Sequence, residues 1–216
     1  MHIRISELNP EIKTPQIILF NKIKTKSIGY NTAKPVSVGE IKSLLQKMVK
    51  ACLADDGVGL AAPQINNFKQ LFIIREMDAD NKPLESFIAY FNPEWKAVAE
   101  DGKEEGIEGC LSVPGLTFEV SRWKTIDAIW WELQEDGSFV ERKERFTGFK
   151  ARIYQHERNH LSGISIVEIN EKQNKFKLES VKQHELTTTY NHDTKNKRNL
   201  FNTKSNQQQT LRRKCH

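Results

Sequence analysis

Apolar and polar positions change period along this chain, and each change marks an element. Residues 1–35 are mixed, with IRI at 3–5 and IILF at 17–20 as short strand or core candidates. At Ser37 the pattern turns helical. Ser37 and Glu40 form an S-x-x-E capping box, and Val36 with Ile41 stand where a hydrophobic staple belongs. Ile41, Leu44, Leu45, Met48, Val49, Cys52 and Leu53 then recur at helical spacing along one stripe. Cys52 lies on that stripe and reads as core. Asp55, Asp56 and Gly57 end the helix. GVGLAAPQ, residues 57–64, has too little bulk to pack and reads as a loop whose backbone lies close against something else. It lacks both the Gly-Lys-Ser/Thr ending and the G-x-G-x-x-G spacing of phosphate-cradling loops.

The period then shortens. LFII (71–74), FIAYF (87–91), LTFEV (116–120), TIDAIWWEL (125–133) and FVERKERFTG (139–148) are β-rich runs, with EDG at 135–137 as a hairpin turn. Strand–helix alternation is missing, so the sheets are expected to be antiparallel. Trp123, Trp130 and Trp131 read as sheet packing. A helix is predicted over 149–162, with Gly163 as its C′ stop. The fold class is α+β: antiparallel sheets packed around that second helix, with an amphipathic helix before them. After about residue 185 the chain is rich in Thr, Asn, Gln and Lys, and buries too little apolar surface to offset its ordering entropy. Residues 1–185 are therefore taken as one domain and 186–216 as a disordered tail.

Charge sharpens that division. The formal net charge is +5 over 216 residues. Residues 186–216 carry seven Lys and Arg against the single acid Asp193, so the basic character belongs to the tail. Cys52, Cys110 and Cys215 are an odd, sparse set, which argues against a disulfide framework and fits a reducing cytosol. The sequence shows no signal-peptide pattern and no apolar run long enough to span a bilayer. A cytoplasmic location without membrane attachment is expected, with a monomer favoured.

HERNHLSG, residues 156–163, carries the candidate chemistry. His156 and His160 stand four apart on the predicted helix, on one face. Two neutral imidazoles so placed can share a metal ion, and Glu157 can approach a water bound to it. The plainer reading is an amphipathic helix with surface histidines and a surface glutamate. The stretch holds no third ligand of its own. Cys110, in EGCLS at 108–112, is available, though alone it reads as a buried structural cysteine. His2, His184, His192 and His216 lack ligand-like spacing and read as surface residues.

Taken together and in order, GVGLAAPQ, EGCLS and QHERNHLSG resemble the three motifs of the peptide deformylase family, GxGLAAxQ, EGCLS and QHExDHLxG. The resemblance runs from about residue 37 to 165. The third motif departs at one position: Asn159 stands where the family has Asp, which removes a charge that would pair with Arg122. A short element within 170–185 stands for the family's C-terminal helix.

The resemblance implies an enzyme that removes the N-formyl group from formylmethionine at the start of nascent polypeptides. It implies Cys110, His156 and His160 as ligands of one divalent metal. Iron(II) is favoured, and zinc, nickel or cobalt also suit a thiolate with two imidazoles. Metal-bound water would attack the formyl carbon, with Glu157 as general base and then acid. The Gln64 side-chain amide and the Leu111 backbone N–H would stabilise the oxyanion. Gly57, Val58 and Gly59 would bind the peptide backbone, with Gly109 contributing a carbonyl. Two readings compete. An HExxH zinc peptidase leaves EGCLS and GVGLAAPQ unexplained. A catalytically idle relative, binding ribosome or RNA through the basic tail, leaves Glu157, Gln64 and the ligand set without a purpose.

Overall fold

The computed structural model describes residues 1–17 and 37–173. Val36, residues 18–20 of the IILF run, the 186–216 tail, His184, His192, His216 and Cys215 lie outside the described residues. Helix α1 (Val38–Ala54) starts where Ser37 Oγ accepts the Glu40 N–H at 3.4 Å. It buries Ile41, Leu44, Leu45, Met48, Val49, Ala51 and Cys52 against the larger of two antiparallel sheets. Cys52 is fully buried, as its place on the apolar stripe requires.

The larger sheet contains β1 (His2–Arg4), β2 (Gly59–Ala61), β3 (Leu71–Met77), β4 (Pro83–Ala97), β7 (Thr125–Leu133) and β8 (Phe139–Thr147), in the order β2-β3-β4-β7-β8, with β1 also on β4. Strand β4 serves two neighbourhoods. Its first half pairs with β1, Ile88 opposite His2, and its second half pairs with β7. The pairing register shifts between Phe91 and Glu94, where Asn92 adopts φ 44°. Two apolar layers result. Ile41, Met48, Leu71, Phe87 and Phe91 fill the α1 side. Phe72, Tyr90, Trp130, Phe146 and Tyr154 fill the other, with ring centroids about 5–6 Å apart in mostly edge-on contacts.

The smaller sheet is the hairpin of β5 (Lys103–Cys110) and β6 (Val113–Trp123). Helix α2 (Gly148–Leu161) packs against elements of both sheets, and α3 (Ile166–Lys172) packs on β6. Amide side chains fasten the helices to the outer edge of β6. Gln155 accepts from Trp123 N at 3.1 Å and donates to Trp123 O at 2.9 Å. Gln173 does the same at Ser121, and Asn170 donates to Glu119 O at 2.9 Å. These contacts satisfy backbone groups that an edge strand would otherwise leave open. Tyr154 adds a link to the larger sheet, its hydroxyl 3.1 Å from the carbonyl oxygens of Glu94 and Ile129. Helix α2 ends in a Schellman motif: Gly163, at φ 68°, donates to His160 O, and Ile164 N donates to Asn159 O at 3.0 Å.

Charge fastens the hairpin to α2 where apolar packing is sparse. Glu108 on β5 takes two hydrogen bonds from Arg122 on β6, at 2.9 and 2.8 Å, and one from Arg152 on α2 at 2.8 Å. All three side chains are buried. Arg152 also donates to Val120 O and Glu104 O, and its guanidinium lies over Gly106, where a Cβ would sit 2.6 Å from its Cζ.

Cys110 ends strand β5, a strand absent from the β-rich runs that the sequence pattern marks. Strand β5 escapes an apolar-pattern reading because its inward positions, Glu104, Gly106, Glu108 and Cys110, are polar or small. The element expected within 170–185 lies mostly outside the described residues; the last helix described, α3, begins at Ile166 with a Ser165–Glu168 capping box and ends at Lys172.

Glu108→Gln would leave two buried guanidiniums facing a neutral amide. Breaking a buried pair by removing one partner costs about 3–5 kcal/mol. Urea unfolding in the presence of a chelator should show a loss of that size, and a loss below about 1 kcal/mol would mean that the hairpin is held by something else.

Candidate active site

Helix α2 places His156, Glu157 and His160 on its inward side, and β5 delivers Cys110 to meet them. His160 Nε2 lies 3.4 Å from Cys110 Sγ and 3.3 Å from His156 Nε2. The three donor atoms all fall within 4.8 Å of one another. One thiol and two imidazoles converging this closely suit a single tetrahedral-type cation with an open position. His156 Nδ1 is 2.9 Å from Glu108 Oε2, so the tautomer that donates to this carboxylate turns the Nε2 lone pair toward the cluster. Glu108 thereby sets a ligand's orientation as well as the hairpin's.

Burial fixes the protonation states. It lowers the pKa of His160 well below the usual histidine range, and the nearby His156 and Arg122 act in the same direction. A neutral imidazole is the form that ligates. Burial pushes the Cys110 thiol up to about 12, although the backbone N–H groups of Ser112 and Val113 pull the other way. A thiolate at this position needs a cation beside it, which is the behaviour of a ligand and not of a free nucleophile. Glu108 feels the same burial, but its hydrogen bonds to Arg122 and His156 outweigh it and hold its carboxyl well below the usual carboxylate range.

Glu157 is buried, and its Oε2 has no hydrogen-bond partner among the described residues. Burial pushes this carboxyl up to about 8, with Arg122 pulling it down and Glu108 raising it further. A buried carboxylate oxygen without a partner and a pKa raised toward neutrality are the features of a group able to take up and release a proton. Gly59 makes room for it: a Cβ there would lie 2.5 Å from Glu157 Oε1. At Gly57 a Cβ would meet Leu111 Cδ1 at 2.8 Å and Cys52 Sγ at 2.9 Å. The glycines of GVGLAAPQ are therefore needed by the protein's own side chains. Val58 O accepts from Arg75 N at 2.8 Å, and β2 is the terminal strand of its sheet, paired only with β3 among the described residues. Gly109 is exposed, with open space where its Cβ would be.

Gln64 belongs to a short 3₁₀ helix, Ala62–Ile65. Its Oε1 accepts the Ala61 N–H at 2.8 Å and its Nε2 donates to Ser112 Oγ at 3.1 Å. Leu111, half-buried, follows Cys110 in the turn joining β5 to β6. Asn159 does not leave Arg122 without a counter-charge, because Glu108 supplies it. With the amide oriented by its partners, Asn159 accepts from Arg122 Nη1 at 2.8 Å and donates to Gln155 O at 3.1 Å. An aspartate could not make the second bond when ionised. His2 is exposed, within 3.3 Å of Glu76 and away from this cluster.

Glu108, Arg122, Arg152, Ser112 and Gln155 support the site without having been singled out as site residues from the sequence. Glu108 and Ser112 stand beside Cys110 in EGCLS, Gln155 opens QHERNHLSG, and Arg122 enters only as the partner expected for position 159. No spacing rule points to Arg152, whose role depends on Gly106 being 46 positions away in the chain and adjacent in space.

Comparison with known proteins gives the same direction. The family profile of polypeptide deformylase matches residues 21–175. The peptide deformylase of Thermotoga neapolitana is 36% identical over 140 residues, which is 63% of this chain and 77% of that protein. That of Chlorobium phaeovibrioides is 32% identical over 162 residues, 72% of this chain and 80% of its own. Among solved structures, a class I type b peptide deformylase from Acinetobacter baumannii with Met-Ala-Ser bound superposes with a TM-score of 0.61 at 28% identity, covering 73% of this chain and 99% of that one. A probable peptide deformylase from Synechococcus phage S-SSM7 gives 0.60 at 30% identity, covering 72% and 99%. The matched span contains every residue gathered around the cluster, and the chain belongs to the polypeptide deformylase family of metal-dependent hydrolytic enzymes.

Proposed function

We propose that this protein removes the formyl group from N-formylmethionine at the start of nascent polypeptides, releasing formate and a free amine. The reading is carried by one observation: Glu157, buried with an oxygen that has no hydrogen-bond partner among the described residues, follows His156 on α2 and lies near enough to act electrostatically on Cys110, where the donors of Cys110, His156 and His160 converge. A relative whose solved structure carries Met-Ala-Ser supports a peptide beginning with methionine as the ligand class.

A divalent ion held by Cys110, His156 and His160, iron(II) in our reading with zinc, nickel or cobalt able to take its place, supplies Lewis-acid activation of water at neutral pH. Glu157 accepts the proton of the attacking water and hands it to the departing amine as the C–N bond breaks. Its raised pKa suits both halves of that transfer, and a bound cation would bring it closer to neutrality. The Gln64 side-chain amide and the Leu111 N–H donate to the oxyanion. Both are neutral donors on rigid turns, so their alignment costs little as charge develops. The substrate backbone pairs with Gly57, Val58 and Gly59, the segment that leads into the terminal strand β2, and Gly109 offers its carbonyl from the β5–β6 hairpin. Such an enzyme works where chains are made, in the cytoplasm, and as a monomer. Among the described residues, no helix is long and apolar enough to cross a membrane.

The direct test is anaerobic purification with metal analysis, followed by measurement of formate released from a formyl-Met peptide. Glu157→Gln keeps the shape and removes the base. It should retain the metal while kcat falls roughly 10²–10⁴-fold, and near-normal turnover would show that another group moves the proton.

The basic tail is proposed as a separable appendage that contacts ribosomal RNA near the emerging substrate. Deleting 186–216 should leave hydrolysis of a short formyl-Met peptide unchanged while weakening co-sedimentation with ribosomes at low salt, since phosphate contacts are salt-sensitive. Loss of short-peptide activity would place the tail within the catalytic domain.

A further inference from the structure

Ser112 joins two parts of the site that the chain supplies from distant segments. It occupies the turn between β5 and β6, two residues after Cys110, and is only 3% exposed. Its backbone N–H reaches the Cys110 sulfur, as does that of Val113. Its hydroxyl accepts a hydrogen bond from Gln64 Nε2 at 3.1 Å, across 48 positions of sequence. Gln64, itself 4% exposed, is held at its other end by the Ala61 N–H.

The consequence lies in the geometry of a primary amide. A glutamine NH₂ carries two N–H donors in a fixed plane. The terminal torsion of glutamine is broad, so one anchor on Oε1 leaves the plane free to turn. A second anchor on Nε2 fixes the plane and consumes one of the two donors. The other N–H is then the only one left for a reacting oxygen, and its direction is set. Buried as the pair is, water is poorly placed to replace a lost hydroxyl, and the orphaned N–H would drive the amide to another rotamer.

We infer that Ser112 is a positioning residue for the hydrolytic step, holding the Gln64 amide so that its second N–H faces the developing oxyanion. The inference deepens the deformylase reading and rests on it. Because the same residue supports the Cys110 sulfur, one turn sets the spacing between the oxyanion donor and the metal-ligating side of the site. Ser112 touches no reacting atom; it acts through Gln64.

The test is a double-mutant cycle on the metal-loaded full chain with formyl-Met-Ala-Ser as substrate. Gln64→Ala should lower kcat by about 10²–10³-fold, the usual cost of one oxyanion donor. Ser112→Ala should lower kcat by about tenfold or more, with KM within about threefold and metal content unchanged. In the Gln64→Ala background, Ser112→Ala should cost nothing further, because the group it positions is gone. A structural role would instead give a loss that adds in both backgrounds. Independently of turnover, the side-chain amide signals of Gln64 in ¹H–¹⁵N spectra of chelated protein should shift and lose exchange protection on Ser112→Ala. If the alanine variant does not fold, Ser112→Cys, nearly isosteric but a weak acceptor, is read in its place with the same expectation. Additive losses, an unchanged kcat or unaltered Gln64 signals would overturn the inference. Absence of formate release from the wild type would overturn the deformylase reading, and the catalytic role of Ser112 with it, whatever the amide signals show.

Discussion

The Glu108 carboxylate is the group on which the site depends. It accepts from Arg122, Arg152 and His156 at once, and so joins β5, β6 and α2 at one buried point. Each partner answers a different need. Arg122 balances the charge, Arg152 carries the contact to the backbone of β5 and β6, and His156 gains a fixed orientation. A carboxylate in this position would be expensive without its guanidiniums, and they would be equally expensive without it. The arrangement is therefore all or nothing. That gives the ligand cluster its precision, because Cys110 follows Glu108 by two residues on the same strand and His156 hydrogen-bonds to it directly.

Helix α2 docks partly through Ala151, Ile153, Tyr154 and Leu161, but part of its buried side is given over to Glu157 and His160. Polar side chains compensate. Gln155 bonds both backbone groups of Trp123, Tyr154 reaches two carbonyls of the larger sheet, and Arg158 donates to Pro93 O at 2.8 Å. Each is a directional contact, so the helix is fixed in rotation as well as position. Such fixing matters where donors must stay within hydrogen-bonding distance of a reacting centre.

The legible parts of this chain were those written in apolar periodicity or glycine placement. The α1 stripe, strands β7 and β8, the hairpin at Gly137 and the Gly163 stop stand as the sequence predicts them. The histidine pair and Glu157 were legible because helical spacing alone brings them to one face. Cys110 was not, for nothing within EGCLS distinguishes a ligand from a core cysteine, and only the order of three motifs raised it. Strand β5 and the Glu108 network were hidden for a related reason. Their inward positions are charged or small, and the partners lie 14 to 48 residues apart. The glycines at 57 and 59 show a subtler limit. Their need for space was evident, but the occupants, Leu111, Cys52 and Glu157, come from three other segments.

At the centre of this account is a ligand set of one sulfur and two nitrogens, built by the protein and oriented through Glu108. X-ray absorption at the metal edge of the zinc-loaded protein measures it directly. One sulfur at about 2.3 Å with two imidazole nitrogens at about 2.0–2.1 Å is the expected shell. The sulfur contribution should vanish in Cys110→Ser. A shell of oxygen and nitrogen alone in the wild type would contradict the account, because it would leave Cys110 a structural cysteine outside the ligand set.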